Sequence, residues 1–372
     1  MSKTMVIPER LLLGPGPSGV HPRVLSAMTT TMLGHLDPKF VAIMNENQEM
    51  LRYVFNTKNS FTLPVSGTGS AAMEAAVVNL LEPEDEMIVF INGYFGERLA
   101  EMARRCGANV HEILEKPGKA FKPDQVKQAL EKHLNAKAVG IVHAETSTGV
   151  HQSLKEIGAM VRESGKFLIV DAVTSLGGMP VDVDENLVDI CYSCSQKCLS
   201  APPGLGPITI NERALQAIKN RKSPVRSWYL DVTLLTQYWG EERTYHHTAP
   251  VSMNYALNAA LDIVMEEGLE ARYKRHQYVG NLLKENLQNM DFRLFPEEGH
   301  QLPMLTVVET PPGIDAEALR VQLLEKYNIE VASGLGELKG KMLRIGLMGY
   351  TAEAKHVYYL LNALKEILGR IR

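Results

Sequence analysis

The sequence predicts an α/β fold with a parallel sheet, followed by a smaller α+β domain. Three observations carry that expectation. Between about Leu63 and Ile210, short β-rich apolar runs alternate with longer amphipathic stretches, as βαβ units do. After roughly Glu267 the order changes to helix, strand, helix, strand and a final helix. The length of 372 residues, at about 150 per domain, suits two domains of unequal size.

The apolar runs MIVFI (87–91), AVGIVHAET (138–146), FLIVDAVTS (167–175), DICYSCS (189–195) and GPITI (206–210) each end in a polar or glycine turn and read as buried strands. SLKEIGAMVRES places Ile157, Met160 and Val161 at helical spacing behind Ser153, which can cap a helix. A connection over about 221–250, rich in aromatic and charged residues (SWYLD, QYWG, TYHHT), breaks the alternation and predicts an excursion over a neighbouring surface. Beyond it come a strand at LPMLTVVE, a helix over 315–327, a strand at MLRIGLMG and a last helix. In that helix Val357, Leu360, Leu361, Leu364 and Leu368 form one apolar face, with Thr351 as its expected N-cap. The chain has no internal repeat or low-complexity segment.

Composition narrows the function. With 39 Lys+Arg against 43 Asp+Glu the net charge is −4, too even for a broad cationic field that would hold nucleic acid or an anionic bilayer. No stretch nears the roughly 18 apolar residues of a membrane span, and MSKTMVIPER lacks the apolar centre of a secretory signal. GRIR at the C-terminus matches neither a peroxisomal nor a retention address. Four cysteines, at 106, 191, 194 and 198, are too few for a disulfide framework and suit reduced thiols. A soluble cytoplasmic protein is expected.

The strongest chemical signal is FLIVDAVTSLGG followed by CYSCSQKCLSAPPG. It sets Asp171 at the end of one strand and Lys197, 26 residues on, just past the next. A crossover of that length brings both side chains to one end of the sheet, where open α/β sheets bind ligands. Either residue alone is ordinary: a capping carboxylate, a lysine in a turn. Together they suit pyridoxal phosphate, with the lysine forming a Schiff base to its aldehyde and the carboxylate pairing with the pyridine nitrogen. That chemistry needs a lysine of lowered pKa, so Lys197 should be shielded from bulk water.

VSGTGSAAMEAAVVNLL leads two glycines into a helical run and can offer N–H groups to a phosphate, although Gly-Ser turns opening helices are common. Phe95 can stack on a flat cofactor or simply be core. Arg344, inside the apolar run MLRIGLMG, needs an anionic partner: an acid of its own domain, or a substrate carboxylate. Cys191, Cys194 and Cys198 form C-x2-C-x3-C, but two of them alternate inside a β-like run with no fourth ligand nearby, so buried thiols are expected and no metal. His246–His247 reads as local packing.

With these residues in place, the chain resembles the class V, fold-type I pyridoxal-phosphate aminotransferases, of the alanine–glyoxylate and serine–pyruvate (serine–glyoxylate) kind. LLLGPGPS, SGTGSAAMEAA, HAETSTGV, VDAVTSLGG, SQKCLSAPPG, WYLD, YHHTAP and LRIGLMG fall in family order along nearly the whole chain. The resemblance implies a large domain on a mostly parallel seven-stranded sheet (21–266), a small C-terminal domain (267–372), and an N-terminal arm (1–20) serving the substrate site and a homodimer. It implies Lys197 as the Schiff-base lysine, Asp171 as partner of the pyridine nitrogen, Val173 against one ring face, and Phe95 where the family often has a stacking tryptophan. Thr146 would sit near the pyridine oxygen. Thr68, Gly69, Ser70 and Gln196 would hold the phosphate, although some relatives carry histidine at the position of Ser70. Tyr245 and Thr248 would reach the phosphate of the neighbouring subunit. Arg344, with the backbone around Gly16, would clamp the substrate carboxylate.

The implied reaction is a ping-pong transfer of an amino group from a small amino acid, alanine or serine, to a 2-oxo acid, glyoxylate or pyruvate. Alternatives are ureidoglycine–glyoxylate or 2-aminoethylphosphonate–pyruvate transamination and, in other classes, a catalytically silent subunit of the fold or an iron–sulfur protein. A cysteine desulfurase would need a cysteine in the C-terminal third, and none follows Cys198.

Overall fold

The structure, a computed structural model, describes residues 7–369. Its centre is a seven-stranded sheet in the order Phe61–Ser66, Leu205–Ile210, Ile190–Tyr192, Phe167–Asp171, Ala138–Val142, Glu86–Ile91, Asn109–Leu114. Six strands run in one direction, and Leu205–Ile210 runs against both neighbours. The sheet is buried on both faces, which is why its strands are apolar throughout: Ile88, Phe90, Leu168 and Val170 pack to one side, Met87, Val89 and Ile169 to the other.

Pattern reading missed two strands and one direction. Asn109–Leu114 is an edge strand whose residues are exposed or half-buried, and polar residues there hide it. Phe61–Ser66 carries Pro64, paired opposite Pro207, in place of a clean β run. The reversal of Leu205–Ile210 leaves no mark on residue type. Three expected strands also stop short. Ala138–Val142 ends before His143, and the chain turns into a hairpin pairing Ala144–Glu145 with Val150–His151. Phe167–Asp171 and Ile190–Tyr192 end early because side chains take over from the ladder: Val173 N donates to Asp171 Oδ1 (2.8 Å) and Ser193 Oγ to the Ala172 carbonyl (2.9 Å). These early endings free the residues that build the site.

Helix caps shift by a residue or two. Lys155–Glu163 starts after Leu154, not Ser153, and no side chain caps it. Thr351 lies in the 3-10 turn Gly349–Thr351, where its hydroxyl donates to the Met348 carbonyl, so the last helix, Ala354–Ile367, starts from Glu353. Asp315 does cap Ala316–Tyr327, accepting from Ala318 N at 2.6 Å.

The 221–250 connection is anchored. It contains the helix Val232–Trp239, and the Asn79 side chain binds it at both a carbonyl (Leu230 O, 2.7 Å) and an amide (Val232 N, 2.8 Å). Leu235, Tyr238 and Trp239 enter the large core, while Trp228, Tyr229 and Tyr245 stay exposed.

Gly268, at φ +77, separates the helix Val251–Glu267 from Leu269–Gln288, and a second, antiparallel sheet follows: Arg293–Leu294, Leu305–Glu309, Met342–Gly346, Ala332–Ser333. The N-terminal arm joins this second body. Leu11–Leu12 pairs in parallel with Ile329–Glu330, Gly346 N donates to the Leu13 carbonyl (2.7 Å), and Leu13 is fully buried among Leu283, Leu343 and Ile345. Residues 1–6 of the arm lie outside the described residues. No helix among those described is long and apolar enough to cross a membrane.

Candidate functional site

The site gathers where the strand ends of the large sheet meet the small sheet and the arm. Asp171 closes the Phe167–Asp171 strand and is buried. Its Oδ1 takes the Val173 amide, but Oδ2, also buried, has no hydrogen-bond partner among the described residues. The buried Tyr192 phenol stands near enough to hold the carboxyl's pKa down without a bond of good geometry. Burial prevails and pushes that pKa up to about 7. A buried oxygen left in this state calls for a cationic N–H donor, which would restore the carboxylate.

Lys197 follows the Ile190–Tyr192 strand. It is largely though not completely buried, and burial lowers its pKa, as does Arg344, against the opposing influence of Cys194. The Nζ donates to the Pro15 carbonyl, so the arm lies directly over the amine. Ser18 ties the same arm down, its amide to Gln196 O (2.9 Å) and its hydroxyl to Lys197 O (2.7 Å). Gly16 is held at φ +113, and a Cβ there would lie 2.5 Å from Lys197 Nζ. The positive φ favours glycine, and any side chain there would also push the flexible end of Lys197 aside.

Arg344 comes from the second sheet. Alternation along Met342–Gly346 sends Leu343 and Ile345 into the small core and turns Arg344 toward the large domain. There it is buried, donating to Ser333 O (2.7 Å) and Thr146 O (3.4 Å). The alternative of an internal salt bridge is not realised: no carboxylate forms an ion pair with it among the described residues. Burial lowers its pKa to about 10, and Glu145 is the only acid that raises it. A desolvated guanidinium without a counter-ion is suited to receive a carboxylate.

Gly69 opens the helix Gly69–Leu80, and a Cβ on it would meet Cys194 Cβ (2.9 Å) and Val173 Cγ2 (3.3 Å), so its amide end abuts the Asp171 turn. Thr68 precedes that helix, exposed and with its side chain not used as a cap. Ser70 Oγ accepts from Arg98 (3.3 Å), and the Arg98 guanidinium lies 4.9 Å from the Phe95 ring centre. Gln196 keeps a buried carboxamide oxygen without a partner. The free amides, free hydroxyl and cation here suit a phosphate. Tyr245 and Thr248 are not drawn into this protomer's site. Both are exposed, and Tyr245 rests against His35, ring centres 5.3 Å apart.

Glu145 went unremarked in the sequence. It is fully buried and accepts from the amides of Phe95 (3.0 Å), Gly96 (3.3 Å) and Ser147 (2.9 Å) and from the Ser147 hydroxyl (2.6 Å), fixing the start of the helix Tyr94–Arg105. Burial nevertheless raises its pKa. The signal available was an acid inside an apolar run, the same anomaly that marked Arg344. The three clustered thiols are buried and two face carbonyls, Cys194 toward Val173 O and Cys198 toward Thr174 O. Burial lifts both pKa values to about 12, which leaves them inert. Among the described residues no group of His, Cys, Asp or Glu is arranged to hold a metal ion.

An amine, a partnerless carboxylate, a helix start and a guanidinium without a counter-ion thus meet at the strand ends, on a fold shared with fold-type I, pyridoxal-phosphate-dependent enzymes. The model of the family aminotransferase class-V matches residues 13–355. Among curated proteins the chain is 41% identical to (S)-ureidoglycine–glyoxylate transaminase of Bacillus subtilis, covering 99% of this chain and 92% of that protein. It is also 41% identical to alanine–glyoxylate aminotransferase of Mus musculus, covering 99% and 90%. Among solved structures, alanine–glyoxylate aminotransferase from Nostoc sp. superposes with a TM-score of 0.97 at 47% identity, covering 99% of this chain and 97% of that one. The chain belongs to the class-V aminotransferases, and is a pyridoxal-phosphate-dependent aminotransferase.

Proposed function

We propose that the protein transfers the amino group of a small amino acid, alanine or serine, to glyoxylate or pyruvate by a ping-pong mechanism. The observation that carries this reading is the triangle of Lys197, Asp171 and Arg344: an amine, a carboxylate oxygen without a donor and a guanidinium without a counter-ion, all partly or fully buried. When bound, pyridoxal phosphate supplies an aldehyde that captures the amino group and a cationic ring that draws electrons from the α-carbon. Asp171 Oδ2, buried without a donor, would accept the ring N–H and keep it protonated. Val173, Phe95 and Thr146 would flank the ring, and Thr68, Gly69, Ser70 and Gln196 would hold the phosphate. Arg344 holds the α-carboxylate with the backbone at Gly16 across from it, which orients the α-C–H toward Lys197. Lys197 Nζ would relay that proton from the α-carbon to the cofactor's former aldehyde carbon in the first half-reaction, and in the opposite direction in the second. The arm over Lys197 favours small side chains.

Tyr245 and Thr248 reach the phosphate of a second subunit in this reading. Trp228, at 63% exposed, with the adjoining Tyr229, and Met32, at 62%, three residues before the His35 on which Tyr245 rests, are apolar surface that a homodimer would cover. Four buried unpaired thiols suit a cytoplasmic setting.

Asp171→Asn is expected to lower kcat by about 10²- to 10⁴-fold, since losing one partner of a buried charge pair costs ~3–5 kcal/mol. Steady-state kinetics of the cofactor-loaded variant measure it. A second reading, ureidoglycine as amino donor, is favoured by the equal identity to the Bacillus subtilis relative. Comparing kcat/KM for alanine, serine and ureidoglycine with glyoxylate as acceptor decides: alanine or serine should exceed ureidoglycine, and the reverse order would replace the first reading by the second.

A further inference from the structure

A cleft of about 550 Å³ lies between the Leu269–Gln288 helix, the Gly178–Pro180 turn and the 299–303 loop, lined by His151 of the Val150–His151 hairpin strand and by none of the residues assigned above to the aminotransferase site. Helix residues 273, 277, 281 and 284 fall on one face and form its wall. The cleft is lined by Lys284, Lys274, Gln277, Asn281, His151 and Gln301, and by no Asp or Glu. Lys284 is only 6% exposed and makes no hydrogen bond or ion pair with any described residue. Burial alone acts on it, lowering its pKa to about 8, so at neutral pH it is still mainly an ammonium ion. Lysines are rarely this buried without a counter-charge, because desolvating the ammonium is costly. Lys274, at the rim, is engaged only with exposed Glu270 on its own helix, at 2.5 Å. The backbone of His151 is itself held by the loop, its amide donating to His300 O (2.7 Å).

We infer that this cleft is a binding site for a small metabolite bearing an oxyanion, phosphate or carboxylate, whose charge is met by Lys284 and whose oxygens are met by Gln277, Asn281 and Gln301. The volume lies within the usual range for small-molecule sites and exceeds what one bare anion fills. The cleft also has a physical route to the aminotransferase site. His151 pairs with Ala144 and Val150 with Glu145, the residue next to Thr146, so an occupant fixes the outer strand of a hairpin whose inner strand borders Arg344.

The test uses the intact, cofactor-loaded enzyme, labelled with an amine-acylating ester and digested so that mass spectrometry follows each lysine separately. Inorganic phosphate and oxalate serve as the two probes. A ligand at ten times its Kd leaves about one site in eleven free, so at least one probe should slow labelling of Lys284 by about tenfold and leave exposed Lys355 unchanged. Which probe acts identifies the anionic group. Equal slowing at both lysines, or none at Lys284, would overturn the site. If Lys284 is too shielded to label, calorimetric titration replaces it: binding present in the wild type and lost in Lys284→Gln supports the site, whereas no binding, or equal binding in both, refutes it. Lys284→Gln should transaminate normally, which separates this outcome from any failure of the aminotransferase reading.

Discussion

Lys197→Ala is expected to lower turnover about 10⁴-fold or more, because in the proposed reaction one side chain would both hold the cofactor's aldehyde and relay the α-proton. The protein should still fold. Lys197 is not completely buried, and its side chain makes one hydrogen bond, to the Pro15 carbonyl, so its removal leaves no buried acceptor network broken. Thermal unfolding close to that of the wild type, together with the collapse in rate, would assign the loss to chemistry. Retained turnover would remove Lys197 from the mechanism. The environment explains why lysine works there: burial and the Arg344 charge both disfavour the ammonium form, which raises the share of free amine near neutral pH.

Arg344→Ala is expected to lower kcat/KM by about 10²- to 10³-fold, the equivalent of ~3–4 kcal/mol for a desolvated charge pair, with most of the effect in the amino-acid KM. The guanidinium is buried and free of any protein carboxylate, so it is already desolvated before substrate arrives. An amine lacking the α-carboxylate serves as control. It should be a poor donor for the wild type and no worse for the variant, because the lost contact is one it never made. Equal losses for both donors would mean that Arg344 acts through the fold, for example through its bond to Ser333 O.

What could be read in the sequence was set by how local its cause is. The buried strands at 87–91 and 167–171 are apolar because two packed faces demand it, and that demand is written residue by residue. Asp171 and Lys197 were legible because a charged group among apolar residues at a strand end is costly to bury unless something meets its charge. Arg344 was legible as a cation in want of an anion; that Glu145 is near it without pairing was not, since this depends on where the hairpin and the second sheet meet. The reversed direction of Leu205–Ile210 and the attachment of Leu11–Leu12 to Ile329–Glu330 are likewise decided by partners hundreds of positions away or across the sheet. The cap was misplaced at Thr351 because its hydroxyl satisfies the preceding turn instead of a helix end, and at Ser153 the helix starts one residue later with no side-chain cap. Lys284 gave no warning at all: on a helix rich in charge, only the packing of the 299–303 loop tells a buried lysine from a solvated one.

The most direct measurement is the site of covalent attachment. The cofactor-loaded enzyme would be reduced with borohydride and digested, and its peptides weighed. A pyridoxyl mass on the peptide containing Lys197, absent from the same peptide of Lys197→Ala, is the predicted result. A pyridoxyl group on another lysine, or on none, would contradict the account.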